Sequence, residues 1–379
     1  EDLLQQRKTA IDEAQAAWEP RLAKEELSYW APTAGLEAAY RFESEAGTLS
    51  AGGTLPLVAG RIGRAASFDG KAYFDAGEIA GFDIEDRFTL AAWVYSDSTP
   101  DGSVVTRMVD NPKGKGYGVH LDQGKVHVNL TSNWVNDAIR VETDEVLAAK
   151  RWHHLTVTYT GSRMAEGVRV YIDGQPSKVN VLFDTLYRPF RNDGPFKDPL
   201  RVGAGWGPDR RFRGLIDDVR AYTRILNREE ISALAQGAPL NRIAEKPSAQ
   251  RDKIEQLQLR WYFLEKKAPA ETRDAWSRLT ALGRESEKLE RSFPTVMVMA
   301  ERAEPKDTFL LIRGAYDRPG EKVSAGLPAI LPSLPEGSAN NRLGLGGWLV
   351  APSNPLTARV IVNRFWETYF GTGIVKTVE

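Results

Sequence analysis

The residues placed where chemistry can happen lie near the middle of the chain. His120 and His127 flank a turn signal at Gln123-Gly124. Side chains alternate across a strand, so pairing Leu121 with Val126 sets the two histidines directly opposite each other. Two imidazoles on one sheet face can ligate a transition metal. A metal centre needs at least a third ligand, and the spacing places none, so the simpler reading is a polar face that tolerates solvent. The same register puts Asn129 on that face and gathers Tyr117, Val119, Leu121, Val126, Val128 and Leu130 on the other. Trp134 follows closely, and Trp206 sits within Gly203-Ala204-Gly205-Trp206-Gly207. Each indole reads either as a stacking surface for a ligand or as packing, Trp134 in a core or loop and Trp206 as a loop plug over the sandwich end.

The elements that position these residues are short strands. From about Leu36 to Arg224 alternating runs are separated by turn signals at Asp69-Gly70, Asp101-Gly102, Asp173-Gly174 and Asp193-Gly194. Phe88–Tyr95, Tyr117–Leu121, Val126–Leu130, Trp152–Thr160, Val168–Ile172 and Arg211–Tyr222 are the strand candidates. Many short antiparallel strands indicate a sandwich or jelly roll. Trp93 and Trp152 are expected in its core. On either side the periodicity is helical. Leu4, Ile11 and Trp18 recur at sevenfold spacing before Pro20, which is expected to end or kink that helix. Ile254, Leu257, Trp261 and Leu264 share a face before Pro269; Trp276, Leu279, Leu282 and Leu289 share another after it. The predicted organisation is a helical arm over 1–30, a β domain over 36–236, a second arm over 241–292 and a further segment over 293–379. The β domain is then inserted in an α-helical hairpin. In the last segment Asn354-Pro355 starts a helix that Gly371 ends. The stretch 342–350 is weakened as a helix by Gly344, Gly346 and Gly347.

Composition removes several classes of function. The 379 residues carry 50 Lys+Arg against 51 Asp+Glu, a formal charge of −1. Nucleic-acid binders draw affinity from excess cationic residues along phosphates, so no nucleic-acid partner is expected. With no cysteine, this chain holds no disulfide, thiol nucleophile, iron–sulfur cluster or covalently attached haem. No apolar run approaches the roughly 18 residues of a membrane span. A first residue that is Glu1 and a stop at Glu379, soon after a helix signal, read as a piece of a longer protein.

Five runs in order carry a family resemblance: Ser67-Phe68-Asp69-Gly70, Phe88 to Val94, Trp152 to Tyr159, Val170-Tyr171-Ile172-Asp173-Gly174, and Phe212 to Tyr222. Together the runs resemble the laminin-G-like group of concanavalin A-like jelly rolls. The resemblance implies two curved antiparallel sheets, a frequent calcium ion and glycan- or protein-binding roles. It implies that the concave sheet faces ligand, so that His120, His127, Asn129, Trp134 and Trp206 would offer hydrogen bonds and stacking to a sugar. In such domains the acid three positions before the last-strand Arg often binds calcium with backbone carbonyls. That assigns Asp217 as metal ligand, with Gly70 contributing its carbonyl and the strand near Ala39–Phe42 another. The alternative is that Asp217 or Asp218 pairs with Arg220 or Arg213. Jelly rolls also include retaining glycosidases with Glu-x-Asp-x-(x)-Glu on one strand. Glu142-Thr143-Asp144 begins that pattern, but Val146 and Leu147 stand at the second Glu. Retaining hydrolysis needs two carboxyl groups about 5–5.5 Å apart, so no catalytic residue is assigned.

The C-terminal segment carries a second resemblance. Phe293-Pro294-Thr295-Val296-Met297-Val298-Met299, Leu311 to Val323, Pro328-Ala329-Ile330-Leu331-Pro332 and Asn354 to Trp366 are similar to the start of an uncharacterised domain. That domain ends large planctomycete cytochrome-c-associated proteins, which often carry a laminin-G-like insertion between helical segments. Arg359, Asn363 and Arg364 recur on one helix, either to bind an anion or to bridge to another domain. The expected function is binding of a glycan or a cell-surface protein, in the periplasm, at the cell surface or secreted. The alternatives are a polysaccharide-active enzyme component and a structural module of an envelope or redox assembly.

Overall fold

The computed structural model describes residues 2–23, 29–43, 50–51, 55–190, 198–293, 296 and 307–376. The Asp193-Gly194 turn, most of the run from Pro294 to Met299, and Thr377-Val378-Glu379 lie outside them. The chain divides into two compact units, Glu1–Ser292 and Phe293–Glu379.

The larger unit holds two antiparallel sheets. The first runs in the order Gln175–Ser177, Val168–Ile172, His153–Tyr159, Phe88–Tyr95, Arg213–Tyr222, Arg64–Asp69, Leu57–Ala59, with Leu36–Tyr40 also paired to Arg213–Tyr222. The second runs Val179–Asp184, Asp137–Val146, Lys125–Asn133, Gly116–Asp122, Gly102–Met108, Arg201–Val202, Tyr73–Asp75, Ser50–Ala51. This is a concanavalin A-like jelly roll. Strands distant in sequence are neighbours in both sheets, because each half of the chain contributes to each layer.

Alternation explains what lies between the layers. Leu90, Ala92 and Val94 face Tyr117, Val119, Leu121, Val126, Val128 and Leu130 in one buried cluster. The turn signals become tight hairpins: Gln123 and Gly124 have φ of 51° and 83°, and Asp173 and Gly174 have 51° and 79°. Positive φ at both central residues matches the right-handed strand twist, which fixes hairpin register.

Helices cover the outer face of the first sheet. Asn227 caps Arg228–Gln236 through a capping box with Glu230, and Asp252 caps Lys253–Tyr262 through one with Glu255. The N-terminal helix Lys8–Leu22 packs on them: Trp18 lies 5.8 Å from Tyr262 and 5.5 Å from Phe263. Arg251 pairs with Glu19 at 2.6 Å and Arg260 with Asp12 at 2.9 Å. Pro20 does not end its helix, which continues to Leu22. It sits in the helix's final turn. Trp93 is buried, but not in the sandwich. It occupies the alternate face of its strand, beneath Arg61 at 4.9 Å and against His154 at 5.0 Å. Trp152 precedes its strand, half-buried on Tyr95 at 5.6 Å. The expectation that Trp93 fills the sandwich fails because its strand turns it to the outer face, where the surrounding layer supplies the burial.

The smaller unit contains a hairpin, Thr308–Leu311 with Pro319–Val323, and helices Arg342–Val350 and Thr357–Phe370. The first helix forms despite its glycines, with the Asn341 side chain accepting from the Gly344 N–H at 3.0 Å and Trp348 buried as its anchor. Asn354 Oδ1 accepts from Leu356 and Thr357 N–H groups, starting the second helix, and Gly371 at φ 79° ends it. Val362, Phe365, Trp366 and Tyr369 are exposed. Asn363 ties the following turn through both backbone groups of Val375.

Candidate functional site

The outer face of the second sheet is built from rows that run across strands. One row is Ser103, His120, His127, Glu142 and Asn180. The next is Arg201, Thr106, Gly118, Asn129, Arg140 and Phe183. Beside it Gly116 faces Thr131, which faces Ala138. These residues alternate with the buried core positions, so the sequence pattern that fills the sandwich also lays a polar floor on its outside.

His120 and His127 face each other in different surroundings. His120 is fully buried, with Nδ1 3.1 Å from the Ser103 hydroxyl. Its Nε2 has no partner and leans over Gly118, where a Cβ would fall 2.7 Å away. Gly118 therefore makes the room this ring occupies. Burial, with His127 and Arg210 nearby, pushes the His120 imidazole down to about 3, so it is neutral at physiological pH. His127 is half-buried and 3.5 Å from Glu142, which Lys125 also holds at 2.7 Å. Burial lowers its pKa while Glu142 opposes the shift. No group of three His, Asp or Glu side chains able to hold a metal occurs among the described residues.

Two indoles stand over this floor. Trp206 lies 4.4 Å from His120 and 5.8 Å from Trp134, ring centre to ring centre. Its loop is pinned to the sheet: Thr106 Oγ1 donates to the Ala204 carbonyl at 2.5 Å, and the Gly207 N–H donates to Asp110 at 3.0 Å. Gly205, at φ 122°, lies so close to Thr106 that a Cβ would collide with its hydroxyl. Trp134 projects from the turn between Lys125–Asn133 and Asp137–Val146, with the Arg140 guanidinium 4.4 Å from its ring centre. Arg210 lies 5.4 Å from the Trp206 ring and pairs with Asp101 and Asp122. Both indoles are half-buried and leave ring surface open.

The five sequence-predicted residues His120, His127, Asn129, Trp134 and Trp206 thus share one face. Sequence reasoning missed Thr131, Arg140 and Arg210. Alternation along Asp137–Val146 was the available signal for Arg140; nothing in the sequence marks Arg210. Five buried polar atoms here have no hydrogen-bond partner: His120 Nε2, Asn129 Nδ2, Thr131 Oγ1, Arg140 Nε and Arg201 Nε. Such atoms are expensive to leave unpaired, and their concentration on one face points to a ligand or ordered water.

The two acids of the Glu142-Thr143-Asp144 run are both held by neighbouring side chains. Glu142 is engaged by Lys125 and His127. Asp144 is held by Lys178 at 3.2 Å and by Asn180.

Asp217 lies on the opposite side of the sandwich, beneath the helices. Its Oδ2 accepts from the Ile62 N–H at 2.8 Å, and its Oδ1 is buried without a partner. Burial pushes its carboxyl up to about 7, with Asp218 and Glu43 adding to the shift. Asp218 instead forms a two-pronged pair with Arg220 at 2.9 and 2.7 Å. Gly70 is not brought to Asp217. Arg213 pairs with Asp69 and Ile216 with Ala66, so Gly70 sits beside the Arg213 end of the strand. The turn next to Asp217 is Gly60 to Gly63, closed by the Gly60 N–H to Gly63 carbonyl bond. A free buried carboxylate oxygen is a fitting first ligand for a hard cation, and backbone carbonyls would have to complete it.

Residues 68–232 match the Concanavalin A-like lectin/glucanases superfamily. Residues 341–379 match a family described as a protein of unknown function, DUF1553. A stretch of 161 residues is 26% identical to the adhesion G-protein coupled receptor V1 of Danio rerio, covering 39% of this chain and 2% of that receptor's length. Domain 4 of the extracellular arabinanase AbnA from Geobacillus stearothermophilus, solved with arabinotriose, is 19% identical with a TM-score of 0.35, covering 53% of this chain and 98% of that one. Trypanosoma rangeli sialidase is 19% identical with a TM-score of 0.40, covering 61% of this chain and 38% of that one. No helix among the described residues is long and apolar enough to cross a membrane.

Proposed function

We propose that the jelly roll is a non-catalytic binding module for a glycan, with the outer face of its second sheet as the binding surface. The carrying observation is the Trp134–Trp206 pair, 5.8 Å apart, above a floor whose His120, Asn129, Thr131 and Arg140 polar atoms lack partners. Indole faces stack on sugar rings, and convergent polar groups orient them. The match of residues 68–232 to a lectin/glucanase superfamily supports this reading. The engagement of Glu142 and Asp144 by basic neighbours favours binding over hydrolysis. Affinity electrophoresis of the chain in polysaccharide-containing gels tests it: retardation supports the reading, and free migration in every polymer counts against it.

A cell-surface protein is the second class of partner, supported by the stretch shared with an adhesion receptor. The same observation, with the family resemblance, supports an extracytoplasmic setting. The match of residues 341–379 to DUF1553 supports membership in a larger planctomycete-type protein whose other domains are further partners; the cytochrome-associated envelope setting rests on the sequence resemblance alone. We infer that calcium stabilises the jelly roll at Asp217, with carbonyls of the Gly60–Gly63 turn rather than Gly70 beside it. The unpartnered Asp217 Oδ1 supports this assignment. A cation there would offset the burial that now favours the protonated acid.

A further inference from the structure

We infer that the ligand of the Trp134–Trp206 face is acidic: a saccharide whose carboxylate or sulfate docks on Arg140. The inference rests on the glycan reading above and narrows it. Other cations on or around this face have an acid. Lys125 pairs with Glu142 at 2.7 Å, Arg210 with Asp101 and Asp122, Arg201 with Asp198 at 3.3 Å, and Arg211 with Asp110. Arg140 has none among the described residues. Its neighbours are ring faces, Trp134 at 4.4 Å and Phe183 at 5.0 Å, and its Nε is buried without a hydrogen bond.

Ring faces attract the guanidinium charge but accept none of its N–H groups in the plane, where a carboxylate or sulfate binds. The residues around it add to the same demand. Asn129 lies directly across the strand pair from Arg140, with an unpartnered amide. Thr131, two positions along, offers an unpartnered hydroxyl. His120 points Nε2 over Gly118, the residue across from Asn129. In the tautomer in which the Ser103 hydroxyl donates to Nδ1, Nε2 carries the proton and can donate as well. All four side chains can donate, and the guanidinium can only donate. A neutral sugar would leave this half-buried charge without a counter-charge; an anion satisfies charge and donors together. Trp134 rests on Arg140, so a pyranose stacked on the indole has its acidic substituent next to the guanidinium.

The test is affinity electrophoresis of the whole chain in gels containing polygalacturonate, its methyl ester, dextran or dextran sulfate. Retardation is expected with polygalacturonate or dextran sulfate and not with the two neutral polymers; which acidic polymer retards identifies carboxylate or sulfate. Arg140→Gln is expected to weaken retention at least about tenfold, while Arg169→Gln, at an exposed position on the other sheet, leaves it unchanged. Asn129→Asp supplies an internal carboxylate to Arg140 and is expected to abolish retention, which covers the case of a misfolded Arg140 variant. Melting curves verify each fold. Equal retention on neutral and acidic polymers, or acidic retention that survives both Arg140→Gln and Asn129→Asp, overturns the inference and leaves the glycan reading standing. Retention on no polymer overturns the glycan reading itself.

Discussion

The Trp206 indole packs on the His120 imidazole with ring centres 4.4 Å apart, and the buried imidazole has one nitrogen on Ser103 and the other without a partner. One aromatic side chain thus forms part of the open surface and also seals a polar group beneath it. Trp206→Ala is expected to do two things. Exposure raises the His120 pKa from about 3 toward the ordinary histidine range, seen in an NMR titration of the imidazole protons. Loss of the stacking surface weakens glycan retention by about tenfold. A His120 pKa that stays low in the variant would show that the sheet, and not Trp206, buries the ring.

Buried histidines should make the protein acid-sensitive. The His120 and His154 imidazoles are pushed down to about 3 and about 4, chiefly by burial. The unfolded chain binds their protons near pH 6.5 and the folded chain does not. Their contribution is intact above the unfolded pKa and is lost as pH falls toward the folded values. His120→Gln is expected to flatten the stability profile between about pH 6.5 and 4, measured by urea unfolding. An unchanged slope would remove His120 from the acid response.

Asp217 acts with the opposite sign. Its carboxyl is raised to about 7 by burial, so the folded chain holds a proton that the unfolded chain releases near pH 4. That stabilisation is full below the unfolded pKa and lost as pH rises through the folded one. With chelator present, the melting temperature of wild type relative to Asp217→Asn is expected to fall between about pH 4 and 7.5 and then level off. A flat difference would show that Asp217 is solvated.

Calcium should compete with that proton. At pH 8, calcium against chelator is expected to raise the wild-type melting temperature and leave Asp217→Asn unmoved, because a ligand bound only to the native state stabilises it. The wild-type shift should shrink at pH 5.5, where Asp217 is protonated. No shift at pH 8 would exclude calcium at this carboxylate.

The Asp218–Arg220 pair is structural. Both side chains are buried, and Asp218 adopts φ 46°, which Asn tolerates. Asp218→Asn leaves a buried guanidinium without its counter-charge and is expected to cost about 3–5 kcal/mol in chemical denaturation. A cost near zero would mean that Arg220 finds another acceptor.

Much of the site was legible because short-range signals fix it. Gln123-Gly124 sets the hairpin register, and that register alone puts His120 opposite His127 with Asn129 on the same face. Arg140 was less legible because its place depends on the next hairpin, where shifts at Asp137/Ala138 and Glu142/Val146 break simple counting. The pairing of Gly70 with Asp217 failed for a similar reason. Their strands are far apart in sequence, and no local pattern tells which end of Arg64–Asp69 meets Asp217. Trp93 shows the remaining limit: alternation assigns a residue to a face, but only the tertiary fold says what covers it.

The most direct measurement compares wild type with the Trp134→Ala/Trp206→Ala double variant by affinity electrophoresis on neutral and acidic polysaccharides. If this face binds glycan, wild type is retarded by at least one polymer, and the double variant migrates freely while melting as a folded protein. Free migration of wild type in every polymer, or retardation that the folded double variant keeps, would contradict it.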